Sequence, residues 1–245
     1  MFSNQLLPHN NDFKYFLDSL FFIFTFIMDK PLIIKNTIVF VKNTLKNAES
    51  GHDWFHIERV YNNAKLIAKQ ENVDLFVVEL AALLHDIADS KFHDGDENIG
   101  PNKAAKFLHT QNISTNIITH IVTIIGNMSF SKSLEKTIKF NSLELQVVQD
   151  ADRLDAIGAI GIARAFNYGG FKNRTIYNPE IKPNLHLSKE AYKKSTAPTI
   201  NHFYEKLLLL KDKMNTKTGK KIALERHRFI VLFLAQFYSE WRGEK

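Results

Sequence analysis

Residues 80–90 read LAALLHDIADS, an apolar run that stops at the pair His85-Asp86. The run begins at Asp74, and from 75 to 84 only Glu79 is polar. A helix that is apolar all round belongs inside a core, so the pattern predicts a central helix over 74–89 with His85 and Asp86 near its C-terminal end. An imidazole and a carboxylate in that position are costly unless a cation or a hydrogen-bond network satisfies them. Two segments rich in the same residue types flank the run, GHDWFHIERV at 51–60 and VVQDADRLDAIGAIGIAR at 147–164. Imidazoles and carboxylates gathered from three helices make a mixed nitrogen and oxygen shell, which suits a divalent cation of borderline or hard character. Four such ligands would leave roughly two positions of an octahedron for water and a substrate oxygen, as a catalytic site requires.

Working outward, Ile34, Ile38, Val41 and Leu45 recur at helical spacing after Pro31 and end in the polar stretch Asn47–Gly51. A second helix starts at Asp53, a suitable N-cap, and carries His56, Val60, Ala64 and Ile67 on one face. The segment KFHDGDENIGP at 91–101 has the composition of a loop and follows directly on the His-Asp pair. Helical periods return at 102–110, 113–126 and 131–139, and 143–168 reads as one long apolar helix whose Gly158 and Gly161 allow close helix contact. A polar, proline-bearing stretch over 169–199, with room for short strands in 171–187, precedes a helical pair at 199–214 and 218–242. Ile222, Phe229, Phe233, Phe237 and Trp241 give the last helix its apolar stripe. The expected fold is all-α, a helical bundle with a loop-rich insertion before a C-terminal helical pair.

The dipeptide His-Asp occurs three times, at 52–53, 85–86 and 93–94, and only His85-Asp86 ends a buried helix. His56 faces inward on its helix, whereas His52 precedes the helix and reads as a cap, rim or surface residue. For the last carboxylate Asp150, Asp152 and Asp155 compete; 152 and 155 share a helical face and 150 does not. Asp89 follows Asp86 by three residues, which on a helix puts it on nearly the same face.

His56, His85-Asp86 and Asp152, in these surroundings, resemble the HD-domain phosphohydrolase superfamily. ADRLDAIGAIGIARAF, the Tyr168-Gly169-Gly170 turn, NHFYEKLLLLKDKMNT and ERHRFIVLFLAQFYSEW are similar to its small bacterial hydrolase branch, over about residues 30–243. The resemblance implies metal ligation by His56, His85, Asp86 and Asp152, and a proton-transfer role for Asp89. It leaves Lys91 as the leading phosphate contact, and Arg59, Arg153 and Asp155 as residues behind the ligands or at the substrate. His93, Asp94 and His120 are weaker pocket candidates, and Arg164 and Lys206 could add positive charge. The cofactor expected is a divalent ion such as Mn, Mg, Co, Ni or Fe. The reaction expected is hydrolysis of a phosphomonoester or pyrophosphate link, in a substrate that is a nucleotide, by a metal-activated water. With neither a glycine-rich phosphate loop nor a cysteine in the chain, a covalent intermediate is disfavoured. A non-enzymatic nucleotide-sensing or RNA-binding module that retains its ion is the competing reading, and the superfamily's iron-and-oxygen chemistry would call for a His-His pair beyond His85 that the chain does not have.

Composition narrows the field further. The 245 residues fit one domain, and the absence of cysteine excludes disulfides and thiolate-bound zinc, in keeping with a cytoplasmic protein. A formal charge of +6 favours encounter with anions, but only KDKMNTKTGKK at 211–221 is dense enough to suggest nucleic acid, so that partner is not favoured. KYFLDSLFFIFTFIMDK at 14–30 has an apolar core from Ser19 to Met28, half of the roughly 20 residues a membrane span needs. Because Met28-Asp29-Lys30-Pro31 reads like a protein start, residues 1–27 are expected to be an upstream extension, and the division expected along the chain is an N-terminal extension over 1–30 and the hydrolase domain over 31–245.

Overall fold

The computed structural model describes residues 28–48, 51–88, 98–128, 140–185 and 195–245. Among them are nine α-helices and one 3₁₀ segment: α1 Lys30–Thr44, α2 Trp54–Ala68, α3 Leu75–Leu84, α4 Ile99–His109, α5 Thr115–Gly126, α6 Leu143–Asp155, α7 Gly158–Phe171, α8 Thr199–Glu205, the 3₁₀ segment Leu207–Lys213, and α9 Lys217–Trp241. No strand occurs among the described residues, including the described part of 171–187. The helix read over 131–139 lies outside them.

Helix α3 occupies the centre and touches α1, α2, α5 and α6. Its side chains from Leu80 to Leu84 have no solvent exposure, so each methylene sits in close-packed surroundings. Truncating Leu83 to alanine there would cost about 2–5 kcal/mol. Aspartates start three of the helices, among them Asp53, the N-cap expected from the sequence. Asp29 accepts from the Leu32 amide at 3.0 Å with Pro31 in the first turn, and Asp53 accepts from the His56 amide at 3.0 Å. Asp74 accepts from the Phe76 amide at 2.9 Å.

Three expectations need correction. First, α3 stops at Leu84, and residues 85–88 form turns and bends. His85 and Asp86 therefore stand just past the helix, and the helical-face argument for Asp89 loses its footing. Second, the stretch 143–168 is two helices. Gly158 has φ 77, a left-handed backbone that breaks the apolar run, and a side chain at Gly161 would strike the Ala156 carbonyl. Close packing is also present, since a Cβ on Gly158 would lie 3.0 Å from Cγ of Arg226. Gly169 and Gly170, expected in a turn, belong to the end of α7. Third, α9 buries Ala223, Ile230 and Leu234, whereas Phe229 and Trp241 of the expected stripe are about half exposed. Phe233 and Phe237 do pack inward, beside Phe166, Phe203 and Tyr177.

The C-terminal helices are bound to the front half by buried polar contacts. Asp150 on α6 has no solvent exposure and accepts from the Asn215 amide at 2.8 Å, the Thr216 amide at 2.7 Å and the Thr216 hydroxyl at 2.8 Å. Burial raises its pKa, against the pull of those donors. A side chain at Gly219 would collide with the same carboxylate, which explains a glycine in the first turn of α9. Glu71 accepts from both the amide and the hydroxyl of Thr218, at 3.1 and 2.8 Å.

Candidate metal centre

Three donor atoms converge where α2, the end of α3 and α6 meet. His56, His85 and Asp152 each offer one ligand atom, and these atoms lie within 4.8 Å of one another. Nε2 of His56 is 3.6 Å from Oδ1 of Asp152, and Nε2 of His85 is 3.9 Å from the same oxygen.

Neighbouring acceptors fix the tautomers. His56 Nδ1 lies 2.8 Å from Oδ2 of Asp155, an acceptor-only carboxylate, so the proton sits on Nδ1 and the Nε2 lone pair faces the cluster. His85 Nδ1 lies 2.8 Å from the Ala82 carbonyl, which places the proton there by the same logic. Its Nε2 is buried and has no hydrogen-bond partner. A buried acceptor left unmade costs about 1–3 kcal/mol, and two imidazole lone pairs beside a carboxylate have no proton to share. A cation resolves all three at once. Two nitrogens and an oxygen suit a borderline or hard divalent ion, and the Asp152 side chain, 43% exposed, leaves the cluster open to solvent on one side.

Behind His56, Asp155 acts as a hub. Its carboxylate, 1% exposed, receives Arg59 through Nε at 2.6 Å and Nη2 at 3.0 Å, and Arg164 through Nη1 at 2.7 Å. Burial works to raise its pKa, but the hydrogen bonds from His56 and Arg59 and the charge of Arg164 hold it well below the usual carboxylate range. Asp155 and Arg59, read from the sequence as residues behind the ligands or at the substrate, stand next to His56, Asp155 on its Nδ1 and Arg59 on Asp155.

Asp86 stands outside the cluster of three. Its Oδ2 is 2.6 Å from His52 Nδ1. Burial pushes its pKa up, and the His52 hydrogen bond with the charges of His85, His52 and His56 more than reverses this, leaving it lowered. Three other candidates are placed elsewhere. Arg153 donates to the Lys213 carbonyl at 2.7 Å and to Asp150 at 3.3 Å, so it serves the joint with the C-terminal helices. His120 sits 3.2 Å from the hydroxyl of Ser142, the N-cap of α6, which is about 15 Å by helical rise from Asp152 near the other end. Lys206 follows α8 beside His202. Asp89, Lys91, His93 and Asp94 lie outside the described residues.

Sequence reasoning undervalued three residues. His52 reads as a rim residue because it precedes the helix, yet it holds Asp86. Arg164, only a weak source of charge by sequence, joins Asp155 to the Gly51 carbonyl at 3.0 Å. Arg226 donates to the Leu154 carbonyl and, at 2.9 Å, to Asn63, from a helix with no sequence signal linking it to the site.

Known proteins resemble this chain in sequence and fold. The HD domain family pattern matches residues 54–157, which run from the start of α2 to the α6–α7 break. The chain is 38% identical over 203 residues to the uncharacterized protein YpgQ of Bacillus subtilis (strain 168), covering 83% of this chain and 91% of that one. It is similar to the crystal structure of an HD-superfamily hydrolase from Bacillus thuringiensis, with TM-score 0.71 and 43% identity over 87% of this chain and 98% of that chain. It is also similar to the crystal structure of Bacillus subtilis YpgQ in complex with ADP, with TM-score 0.67 and 36% identity over 86% and 96% of the two chains. With the all-α core, the His and Asp cluster and these likenesses together, the chain belongs to the HD-domain superfamily, in the branch of small bacterial HD hydrolases.

Proposed function

We propose that this protein is a divalent-metal-dependent phosphohydrolase acting on nucleotides. The observation that carries the reading is the buried, unpartnered Nε2 of His85 beside Nε2 of His56 and Oδ1 of Asp152. His56, His85 and Asp152 would hold the ion, and Asp86 would complete the set with the oxygen that His52 does not bind. The bound ion supplies Lewis acidity, making water a competent nucleophile near neutral pH and offsetting charge on a phosphoryl oxygen. The chain's own work is positional and acid-base. Asp155 fixes the imidazole of His56, Asp89 exchanges the proton of water or leaving group, and Lys91 meets the phosphate.

The nucleotide part of the reading rests on a relative, since YpgQ of Bacillus subtilis is known in complex with ADP. The test uses the full-length protein, stripped by chelator and reloaded with Mn²⁺, Mg²⁺, Co²⁺, Ni²⁺ or Fe²⁺. Nucleoside mono-, di- and triphosphates are then offered, and phosphate and pyrophosphate are measured separately. Metal-dependent release of either is expected. A stoichiometrically loaded protein that binds nucleotides and releases neither would overturn the enzymatic reading in favour of a sensing module.

A further inference from the structure

We propose that His52 is a positioning residue of the metal centre, bracing Asp86 so that only one of its carboxylate oxygens is free for the ion. Three observations converge on it. His52 Nδ1 meets Asp86 Oδ2 at 2.6 Å, a charge-assisted length, while the His52 ring stands 6.0 Å from that of His56. The residue before it, Gly51, has φ 113, a left-handed backbone that ordinary residues rarely adopt. The Gly51 carbonyl is in turn held by Arg164 Nη2 at 3.0 Å, and the same guanidinium donates to Asp155 at 2.7 Å.

These contacts form one chain of support. Asp155 orients His56 directly, and through Arg164 and Gly51 it fixes the turn that aims His52 at Asp86. Ligands on α2 and just past α3 are thus referred to a single buried carboxylate on α6. A carboxylate with one oxygen fixed in this way presents the other in a set direction, and it pays less ordering entropy when the ion arrives. Support of this kind is worth about 10- to 100-fold in metal affinity. Gly51 is required for its backbone and not for space, because a Cβ there would meet no heavy atom within 4 Å.

The proposal rests on the metal-dependent reading of the site, and its test reads metal affinity rather than turnover. MnCl₂ is titrated into chelator-stripped full-length protein and into His52→Ala, His52→Asn and Gly51→Ala, with thermal stability of the metal-free forms measured alongside. His52→Ala is expected to lose about 10- to 100-fold in affinity while staying folded. His52→Asn is expected to recover most of it, because the side-chain amide N–H of asparagine can stand where Nδ1–H stood. Gly51→Ala is expected to lose affinity although its new methyl meets open space. Wild-type affinity in His52→Ala overturns the brace alone. Equal damage in His52→Ala and His52→Asn overturns it as well, by making His52 a ligand. No Mn²⁺ binding by the wild-type protein overturns the metal reading itself, and the brace with it.

Discussion

His56 and Asp155 are joined by a 2.8 Å hydrogen bond between two side chains that are almost wholly buried, at 3% and 1% exposure. The same carboxylate binds two guanidiniums, so a single acidic group sets the tautomer of His56 and pairs with two arginines. Removing it has consequences for both folding and metal binding.

Asp155→Ala would leave Arg59 and Arg164 without their carboxylate and free His56 to rotate. Because the partner removed is buried, a stability loss of about 3 kcal/mol or more is expected, seen as a lower urea midpoint. Metal affinity should fall together with it. Unchanged stability would mean that solvent takes over the role of the carboxylate.

The pH dependence of that contribution has a definite sign. The folded-state pKa of Asp155 is depressed, so its stabilisation is fully present above the unfolded carboxylate pKa of about 3.9 and is lost as pH falls below it. In the metal-free protein, the Tm gap between wild type and Asp155→Asn should be constant between about pH 7 and 5 and close as the medium becomes more acid than about pH 4. A gap that widens on acidification would reverse the assignment of charge.

Ligand substitutions separate the metal centre from the fold. His85→Ala and Asp152→Ala should each abolish stoichiometric metal and keep the helical circular dichroism. For His85 the folding cost is softened, since the unpartnered nitrogen disappears with the side chain. Full metal content in folded His85→Ala, by elemental analysis, would refute the site.

Asp89 should behave differently from every ligand. A group that only moves a proton contributes typically 10² to 10⁴ in rate and leaves the ion in place. Asp89→Asn is therefore expected to bind metal normally, lose at least about 100-fold in turnover and drop one limb of the pH profile. Loss of metal in this variant would make Asp89 a ligand.

What the sequence reveals and what it hides divide along physical lines. His56 and His85 are legible because periodicity assigns faces and burial: α2 turns His56 inward, and α3 is apolar on all sides. The partners that orient them are not legible. His52 and Asp86 are 34 residues apart, and Gly51 and Arg164 are 113 apart, so no local pattern connects them. The break between α6 and α7 is hidden for another reason, because apolar spacing continues through Ala156 and Ile157 while the backbone reverses at Gly158. Arg153 and Asp152 are neighbours in sequence and go to opposite duties, one to the C-terminal joint and one to the cluster.

The buried carboxylate of Asp150 bears on where this protein can be divided. The matched family segment ends at residue 157, yet of the donors to Asp150 only Arg153 lies within it, and the three shortest bonds come from Asn215 and Thr216. An excised 54–157 fragment would carry a carboxylate stripped of those partners, and the Leu154 carbonyl and Asn63 would lose Arg226. The motif boundary is therefore not a boundary of the buried polar network, which runs from α6 across to Thr216 and Arg226 at and within α9.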